Sequence, residues 1–236
     1  MSLGHGASIV RDGLVLHLDA ANPKSYPGTG AVWTDLSGLG NNGNLLAGVV
    51  YNSTTKALVF SGSNSSCLHT GAPLTGNTAF SVTGFFFITG DTVQKATWGI
   101  GGNATGQGIN SYSLTGTNLI SMDLWGATTI QSNQQYDLNA WTHCAWVYRG
   151  PVYSRTNISL YKNGIEYTGA SLAVARGGET GTPALNNSGI VIGRAGTTDG
   201  GYMAPVNISA INFYNRALTT AEIKQNFEAL RGRYGI

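Results

Sequence analysis

Turns rich in glycine and asparagine interrupt this chain along most of its length and leave room only for short strands between them. The 236 residues include 34 glycines, and a segment such as 40–44, with the sequence GNNGN, consists of residues that tolerate a positive φ. Between the turns, side chains alternate with the two-residue period of a strand, as they do in segment 14–18. This pattern predicts an all-β protein.

Residues 79–88 form the clearest predicted strand. The side chains that share one of its faces are large and apolar: Phe80, Val82, Phe86 and Ile88. The other face carries Phe85 and Phe87 near the end of the strand. Because apolar groups occupy both faces there, we expect this strand to lie in the centre of a sheet.

The middle of the chain predicts a meander followed by a hairpin. The meander has connections rich in Gly, Asn and Thr, and its four predicted strands are residues 95–101, 111–115, 118–125 and 128–132. Residues 141–149 form a further strand that places three side chains on one face: Cys144, Trp146 and Tyr148. Asn163-Gly164 lies between segments 157–162 and 165–167 and is the best short hairpin signal in the chain.

One helix is predicted, over residues 219–231. Thr219 is a suitable N-cap, and Glu222 three residues later completes a capping box. Apolar residues follow at helical spacing and form a stripe that can dock on a sheet: Ile223, Phe227 and Leu230. Residues 1–10 are predicted to form a flexible or docking arm, and residues 11–236 a single domain, a length that all-β sandwiches often reach.

Composition argues against several classes of function. The net charge is +2 and charged residues make up only 10% of the chain, so we expect no nucleic-acid binding. No apolar run approaches the roughly 20 residues of a membrane helix, so we expect no membrane insertion. The N-terminus has neither the basic nor the apolar region of a signal peptide, which predicts synthesis in the cytoplasm. Cys144 is predicted to be a small buried apolar residue, and a disulfide with Cys67 stays open.

Five groups of segments, in this order, resemble the laminin G-like branch of the concanavalin A-like lectin/glucanase superfamily. They are 13–20 (GLVLHLDA) with 33–38 (WTDLSG) and 41–43 (NNG), 79–82 (AFSV), 141–148 (WTHCAWVY) with 160–164 (LYKNG), 192–194 (IGR), and 213–219 (FYNRALT) with 221–223 (AEI). The resemblance implies a jelly-roll sandwich of two antiparallel sheets with one C-terminal helix. The opening block, with 26–30 (YPGTG), is similar to laminin G-like proteins of tailed phages.

The phage resemblance implies a non-enzymatic protein of the virion surface, such as a capsid decoration, fibre or tail component. A low-charge module of extracellular type that lacks a signal peptide fits this setting. The implied partners are other virion subunits and host cell-surface glycans, and a homo-oligomer stays open. The alternatives are a soluble carbohydrate-binding lectin and a glycoside hydrolase that lacks the usual catalytic strand.

The acidic residues argue against catalysis and against a metal cofactor. Glucanases of this superfamily use two Glu residues that flank an Asp on one strand, whereas the four Glu of this chain have no Asp two residues away: Glu166, Glu179, Glu222 and Glu228. We therefore predict no catalytic residues and no enzyme activity. Relatives often carry an Asp-Glu pair where this chain has Ser209-Ala210, so no metal site is predicted. Calcium held by one Asp and backbone carbonyls remains the alternative.

The meander contains the best candidates for binding a glycan. Sugars are held by aromatic faces against their C–H groups and by amides or carboxylates at their hydroxyls, and this stretch is the richest in both. The resemblance places these strands on the concave sheet, where ligands usually bind. The candidate residues are Trp98, Asn110, Tyr112, Asp123, Trp125 and Gln131. The alternative is that Trp98 and Trp125 are packed in the core.

Overall fold

The computed structural model describes residues 8–46, 48–62, 66–90, 96–114, 116–179, 181–196, 202–203 and 205–236. Within them the chain forms two antiparallel sheets and a C-terminal helix, which confirms the predicted all-β sandwich. The strands are β1 Leu14–Asp19, β2 Val32–Trp33, β3 Gly43–Leu45, β4 Val50–Asn52, β5 Ala57–Ser61, β6 Cys67–His69, β7 Phe80–Ile88, β8 Trp98–Gly101, β9 Gly108–Ser111, β10 Leu119–Leu124, β11 Thr128–Gln135, β12 Trp141–Tyr148, β13 Ile158–Lys162, β14 Ile165–Thr168, β15 Leu172–Arg176, β16 Ile190–Ile192 and β17 Pro205–Tyr214. The helix α1 is Thr220–Leu230, and a 3-10 turn at Arg231–Arg233 follows it.

The first sheet is centred on β7 and β17. Its strand order is β14-β13-β12-β7-β17-β5-β4, and β1 pairs with the end of β17 that β5 leaves free. The predicted central position of β7 is confirmed because it pairs with β12 on one side and β17 on the other. Gly84 makes this close packing possible, since a Cβ atom there would lie 2.8 Å from the Ala210 carbonyl oxygen.

The second sheet contains the predicted meander. Its order is β15-β11-β10-β9-β8-β16-β6-β3-β2. The prediction of a strand at residues 111–115 was wrong in position, because β9 is Gly108–Ser111. Its first residue approaches the preceding chain so closely that a Cβ on Gly108 would lie 2.2 Å from the Gly102 carbonyl oxygen. A glycine-led strand carries a weak propensity signal and is easily placed too late in the chain.

The space between the sheets is filled by aromatic and aliphatic side chains. Trp98 of the second sheet packs edge-on against three aromatic rings of the first, at centroid distances of 6.3, 5.4 and 6.1 Å: Phe80, Trp146 and Phe213. Cys67 and Cys144 are both buried and are not joined by a disulfide. Cys144 thus has the predicted role of a small core residue.

The hairpin and the helix have the local chemistry that the sequence predicts. Asn163 and Gly164 both adopt positive φ, at 48° and 80°, between β13 and β14. Thr219 accepts a hydrogen bond from the Glu222 backbone N–H, and the Glu222 carboxylate accepts one from the Thr219 N–H, which forms the capping box. Of the described residues, none belongs to a helix long and apolar enough to cross a membrane.

Helix α1 covers the outer face of the first sheet and forms a second apolar layer. Its buried stripe packs over residues of β7 and β12 such as Phe85 and Ala145. Ile9 and Val10, the end of the predicted N-terminal arm, are buried in the same layer, and the Val10 N–H donates to Asn226 Oδ1 at 2.8 Å. The first seven residues of that arm lie outside the described residues.

We predict that Phe227→Ala lowers the free energy of unfolding by about 3–5 kcal/mol, the usual cost of deleting a buried Phe side chain. Phe227 is 9% exposed on the stripe of α1. Thermal or denaturant unfolding measures the effect, and Lys224→Ala on the exposed side of the same helix is the matched control. Equal stability of the two variants would mean that the helix is not docked on the sheet.

Candidate functional site

A row of aligned residues crosses the outer face of the second sheet. Its members come from four neighbouring strands in register: Asn110 of β9, Asp123 of β10, Thr129 of β11 and Arg176 of β15. The residues that flank Asp123 on its strand are buried in the core between the sheets. Because side chains alternate across a strand, the row faces away from that core.

Asp123 is the buried charge of this row. Its side chain is 4% exposed, and its Oδ1 accepts hydrogen bonds from Arg176 at 2.7 Å and from Thr129 Oγ1 at 2.6 Å. Burial raises the pKa of Asp123 above its ordinary value, and the bonds from Thr129 and Arg176 offset part of that effect. Both bonds reach Oδ1, which leaves Oδ2 as an acceptor for another group.

An aromatic cavity of about 150 Å³ lies above Asp123. Tyr202 contacts Tyr112 edge-on at a centroid distance of 5.2 Å and Trp125 at 5.9 Å. Burial, together with the neighbouring Tyr202, raises the pKa of Tyr112 to about 12, so its hydroxyl stays protonated at neutral pH. The cavity is lined by Tyr112, Asp123, Trp125, Gly126, Arg176 and Tyr202. It therefore joins aromatic surface to a carboxylate and a guanidinium.

The backbone around the cavity is held in place by hydrogen bonds. Trp125 N–H donates to Gly108 O, and Trp125 O accepts from Gly106 N–H, both at 2.9 Å. On the other side, Asn110 Oδ1 accepts a hydrogen bond from the Gly196 N–H at 2.9 Å. A Cβ on Gly99 would lie 2.5 Å from Asn110 Oδ1 and 2.8 Å from Gly196 N. The absence of a side chain at Gly99 therefore allows the Gly196 backbone to pack closely against the sheet.

Three of the six predicted glycan-binding residues meet at the cavity: Tyr112, Asp123 and Trp125. Asn110 is 1% exposed and supports the neighbouring loop instead of lining the cavity. Gln131 lies two residues after Thr129 on β11 and pairs with Ser121 of β10. It therefore shares the outer face with Thr129 but does not line the cavity.

The prediction that Trp98 contacts a glycan was wrong. The indole is fully buried between the sheets, and the alternative of core packing holds for it. Trp98 and Ile100 face the core, while Gly99 between them faces outward. The aromatic residue type favoured a ligand contact, but side chains alternate between the two faces of β8, and this alternation places Trp98 on the core face.

Besides Gly126, which has no side chain, two residues that line the cavity were not among the predicted site residues. Arg176 ends β15, a strand for which no alternation was recognised, and Tyr202 lies three residues before β17. Both residues are far from Asp123 in the sequence, so no local pattern indicated that they lie beside it. The position of Arg176 follows only from the pairing of β15 with β11.

Carboxylates and metal ligands are sparse around the cavity. Within the described ranges, Asp123 is the single carboxylate that lines it, while Asp91 and Asp199 lie outside those ranges. The same ranges contain no group of three or more His, Cys, Asp or Glu side chains that could hold a metal ion. The alternative of calcium held by one Asp and backbone carbonyls needs no such group of side chains, and it stays a prediction.

Residues 60–224 match the family model described as the concanavalin A-like lectin/glucanases superfamily, in its laminin G group. The chain belongs to this superfamily. The match covers most of the two sheets and the start of α1, and it agrees with the fold that the motifs implied. No curated protein sequence matches the chain significantly.

Solved structures of low identity share this fold. Trypanosoma rangeli sialidase in complex with the inhibitor DANA superposes with a TM-score of 0.65 at 18% identity, over 94% of this chain and 34% of the sialidase chain. Domain 4 of AbnA, a GH43 extracellular arabinanase from Geobacillus stearothermophilus, in complex with arabinotriose, gives 0.62 at 16% identity, over 91% of this chain and 98% of that domain. The botulinum neurotoxin type G receptor binding domain gives 0.61 at 16%, over 92% and 51%. The chain thus spans about a third of the sialidase.

We predict that the two meander tryptophans differ in their effect on stability. Trp98→Ala removes a fully buried ring and should lower the free energy of unfolding by about 3–5 kcal/mol. Trp125→Ala removes a partly exposed ring and should lower it by only about 1 kcal/mol. Denaturant unfolding of both variants measures the difference. Similar losses in the two would place Trp125 in the core and remove it from the site.

Proposed function

We propose that this chain is a non-enzymatic glycan-binding module whose site is the aromatic cavity above Asp123. The observation that carries the proposal is the combination of Trp125, Tyr112 and Tyr202 with the Asp123–Arg176 pair in one depression. Aromatic rings contact the apolar faces of sugars. The carboxylate oxygen Oδ2 of Asp123 is an acceptor for a sugar hydroxyl, and Arg176 is a donor to one.

The dimensions of the cavity favour the end of a glycan as the ligand. Its volume of about 150 Å³ is smaller than the roughly 300–1,000 Å³ of most small-molecule pockets. A terminal sugar unit would occupy the cavity and the rest of the glycan would remain in solvent. Because Asp123 and Arg176 neutralise each other, the site offers no net charge and suits a neutral sugar.

The same geometry supports a binding role over hydrolysis. Glycosidases generally need two carboxyl groups about 5–9.5 Å apart on either side of the scissile bond. Among the described residues Asp123 is the single carboxylate that lines the cavity, so the second carboxyl group of a glycosidase is missing from this lining. Domain 4 of AbnA, which is similar in fold and is described in complex with arabinotriose, also supports a sugar-binding role.

We further propose that the module is displayed in several copies on the surface of a phage virion, alongside other virion subunits. This setting is based on the resemblance of the opening block to phage proteins and on the low charge of the chain. A small, open site binds weakly, and many copies on one particle would raise the effective affinity. Detection of the chain by mass spectrometry of purified particles tests the setting.

We predict that a multimerised form of the protein binds a subset of neutral glycans on an array and that Trp125→Ala abolishes this binding. The loss follows from removal of the aromatic wall of the cavity. Tyr167→Ala, which truncates a partly exposed aromatic ring on β14 of the other sheet, is the matched control and should bind normally. A blank array, or equal loss in the two variants at unchanged melting temperature, would contradict the proposal.

We predict that glycan binding weakens as the pH falls from about 8 to about 4. Burial raises the pKa of Asp123 above the ordinary Asp value of about 3.9, so its carboxylate takes up a proton in weak acid. The protonated group is a poorer acceptor for a sugar hydroxyl and loses its charge pair with Arg176. Asp123→Asn should bind more weakly and lack this pH dependence. Parallel pH profiles for the two proteins in calorimetry would exclude Asp123 from the site.

A further inference from the structure

A second and larger cavity, of about 530 Å³, lies on the outer face of the first sheet. It forms where the C-terminal segment crosses the start of β12 and the turn between β4 and β5. The residues that matter for its chemistry are Thr54, Thr55, Lys56, Trp141, Arg233 and Tyr234. Because the aromatic cavity above Asp123 belongs to the outer face of the other sheet, the two cavities are on opposite sides of the sandwich.

Aromatic rings form one wall of this cavity and are locked by their neighbours. Trp141 lies at a centroid distance of 4.8 Å from Tyr234 and 5.7 Å from Phe87. Tyr234 in turn stacks on Phe85 at 4.2 Å with an interplanar angle of 22°. Trp141 and Tyr234 remain partly exposed. The wall is therefore a rigid aromatic surface that is open to a ligand.

The charge of the cavity is positive. Lys56 and Arg233 line it, and no carboxylate among the described residues does so. Arg233 is paired with the buried carboxylate of Asp19 at 2.7 Å, whereas Lys56 forms no ion pair with any described residue and its side chain is exposed. One ammonium group is thus left to pair with an anion from outside.

The turn that carries Lys56 is fixed by hydrogen bonds. Asn52 Oδ1 accepts from the N–H groups of Thr54 and Thr55 at 2.9 and 3.1 Å, and Ser209 Oγ donates to the Lys56 carbonyl oxygen at 2.8 Å. Lys56 itself has a φ of 53°, which is unfavourable for a residue with a side chain. The backbone that presents the ammonium group is held in place, so binding would order little more than the lysine side chain.

We propose that this cavity is a second binding site and that it takes an acidic saccharide of the uronic acid type. The sugar ring lies against Trp141, and the carboxylate pairs with Lys56. Thr54 is an exposed residue of the lining, and its hydroxyl is available to a sugar hydroxyl. This site does not depend on the cavity above Asp123, which suits a neutral sugar.

The test uses the indole N–H signals of the ¹⁵N-labelled chain, titrated with a galacturonic acid trisaccharide, with the neutral galactose trisaccharide and with sulfate. Trp141→Phe assigns the Trp141 signal. We expect the acidic trisaccharide to shift the Trp141 signal, and we expect the neutral trisaccharide and sulfate to leave it in place. The effect should weaken when salt is raised from about 0.05 to about 0.5 M, because an exposed ion pair is screened.

Lys56→Gln should weaken binding of the acidic trisaccharide about tenfold, which corresponds to loss of one charge-assisted hydrogen bond. Lys224→Gln removes the charge of another exposed lysine, on α1, and should change nothing. Trp125→Ala should also leave this binding intact, which separates the second site from the first. An unmoved Trp141 signal, an equal response to the neutral trisaccharide or to sulfate, or full affinity in Lys56→Gln would overturn the proposal.

Discussion

The contact that joins the two sheets is the insertion of Trp98 among the aromatic rings of the opposite sheet. Because side chains alternate along β8, a buried Trp98 forces Gly99 to face outward. The absence of a side chain on Gly99 leaves room for Asn110 and for the Gly196 backbone on the outer surface. A slip of one residue in β8 would exchange the two faces. The register of β8 that places Trp98 in the core therefore also shapes the outer surface beside the cavity.

The two outer faces of the sandwich differ because different parts of the chain cover them. The first sheet has an apolar outer face with rings such as Phe85, and α1, Ile9, Val10 and Tyr234 pack on it. The second has a polar outer face, where Asp123 and its neighbours need hydrogen-bond partners more than an apolar cover. Incomplete cover at the end of α1 leaves one cavity, and Tyr202 forms one wall of the other.

Local signals predicted the parts of the fold that depend on neighbouring residues, such as the Asn163-Gly164 hairpin and the helix with its capping box at Thr219. They also identified three of the residues that line the cavity, all within the meander: Tyr112, Asp123 and Trp125. They failed at β9, whose leading glycine gives a weak strand signal. They also failed at Arg176, which reaches Asp123 only through the long-range pairing of β15 with β11. For Trp98, composition was the wrong guide, because alternation with Ile100 places both side chains in the core.

Placement of the two cavities on opposite faces limits how they could act together. One short glycan cannot span the sandwich to reach both, so they would bind independent ligands or separate chains of one polysaccharide. Their charges differ as well: Arg176 neutralises Asp123 in one, while Lys56 is unpaired among the described residues of the other. Linked sites gain affinity only when geometry allows both to be occupied at once. A glycan layer with neutral and acidic polysaccharides allows both cavities of one module to be occupied when the module lies between two neighbouring polysaccharide chains. Each copy of the module would then cross-link those two polysaccharide chains.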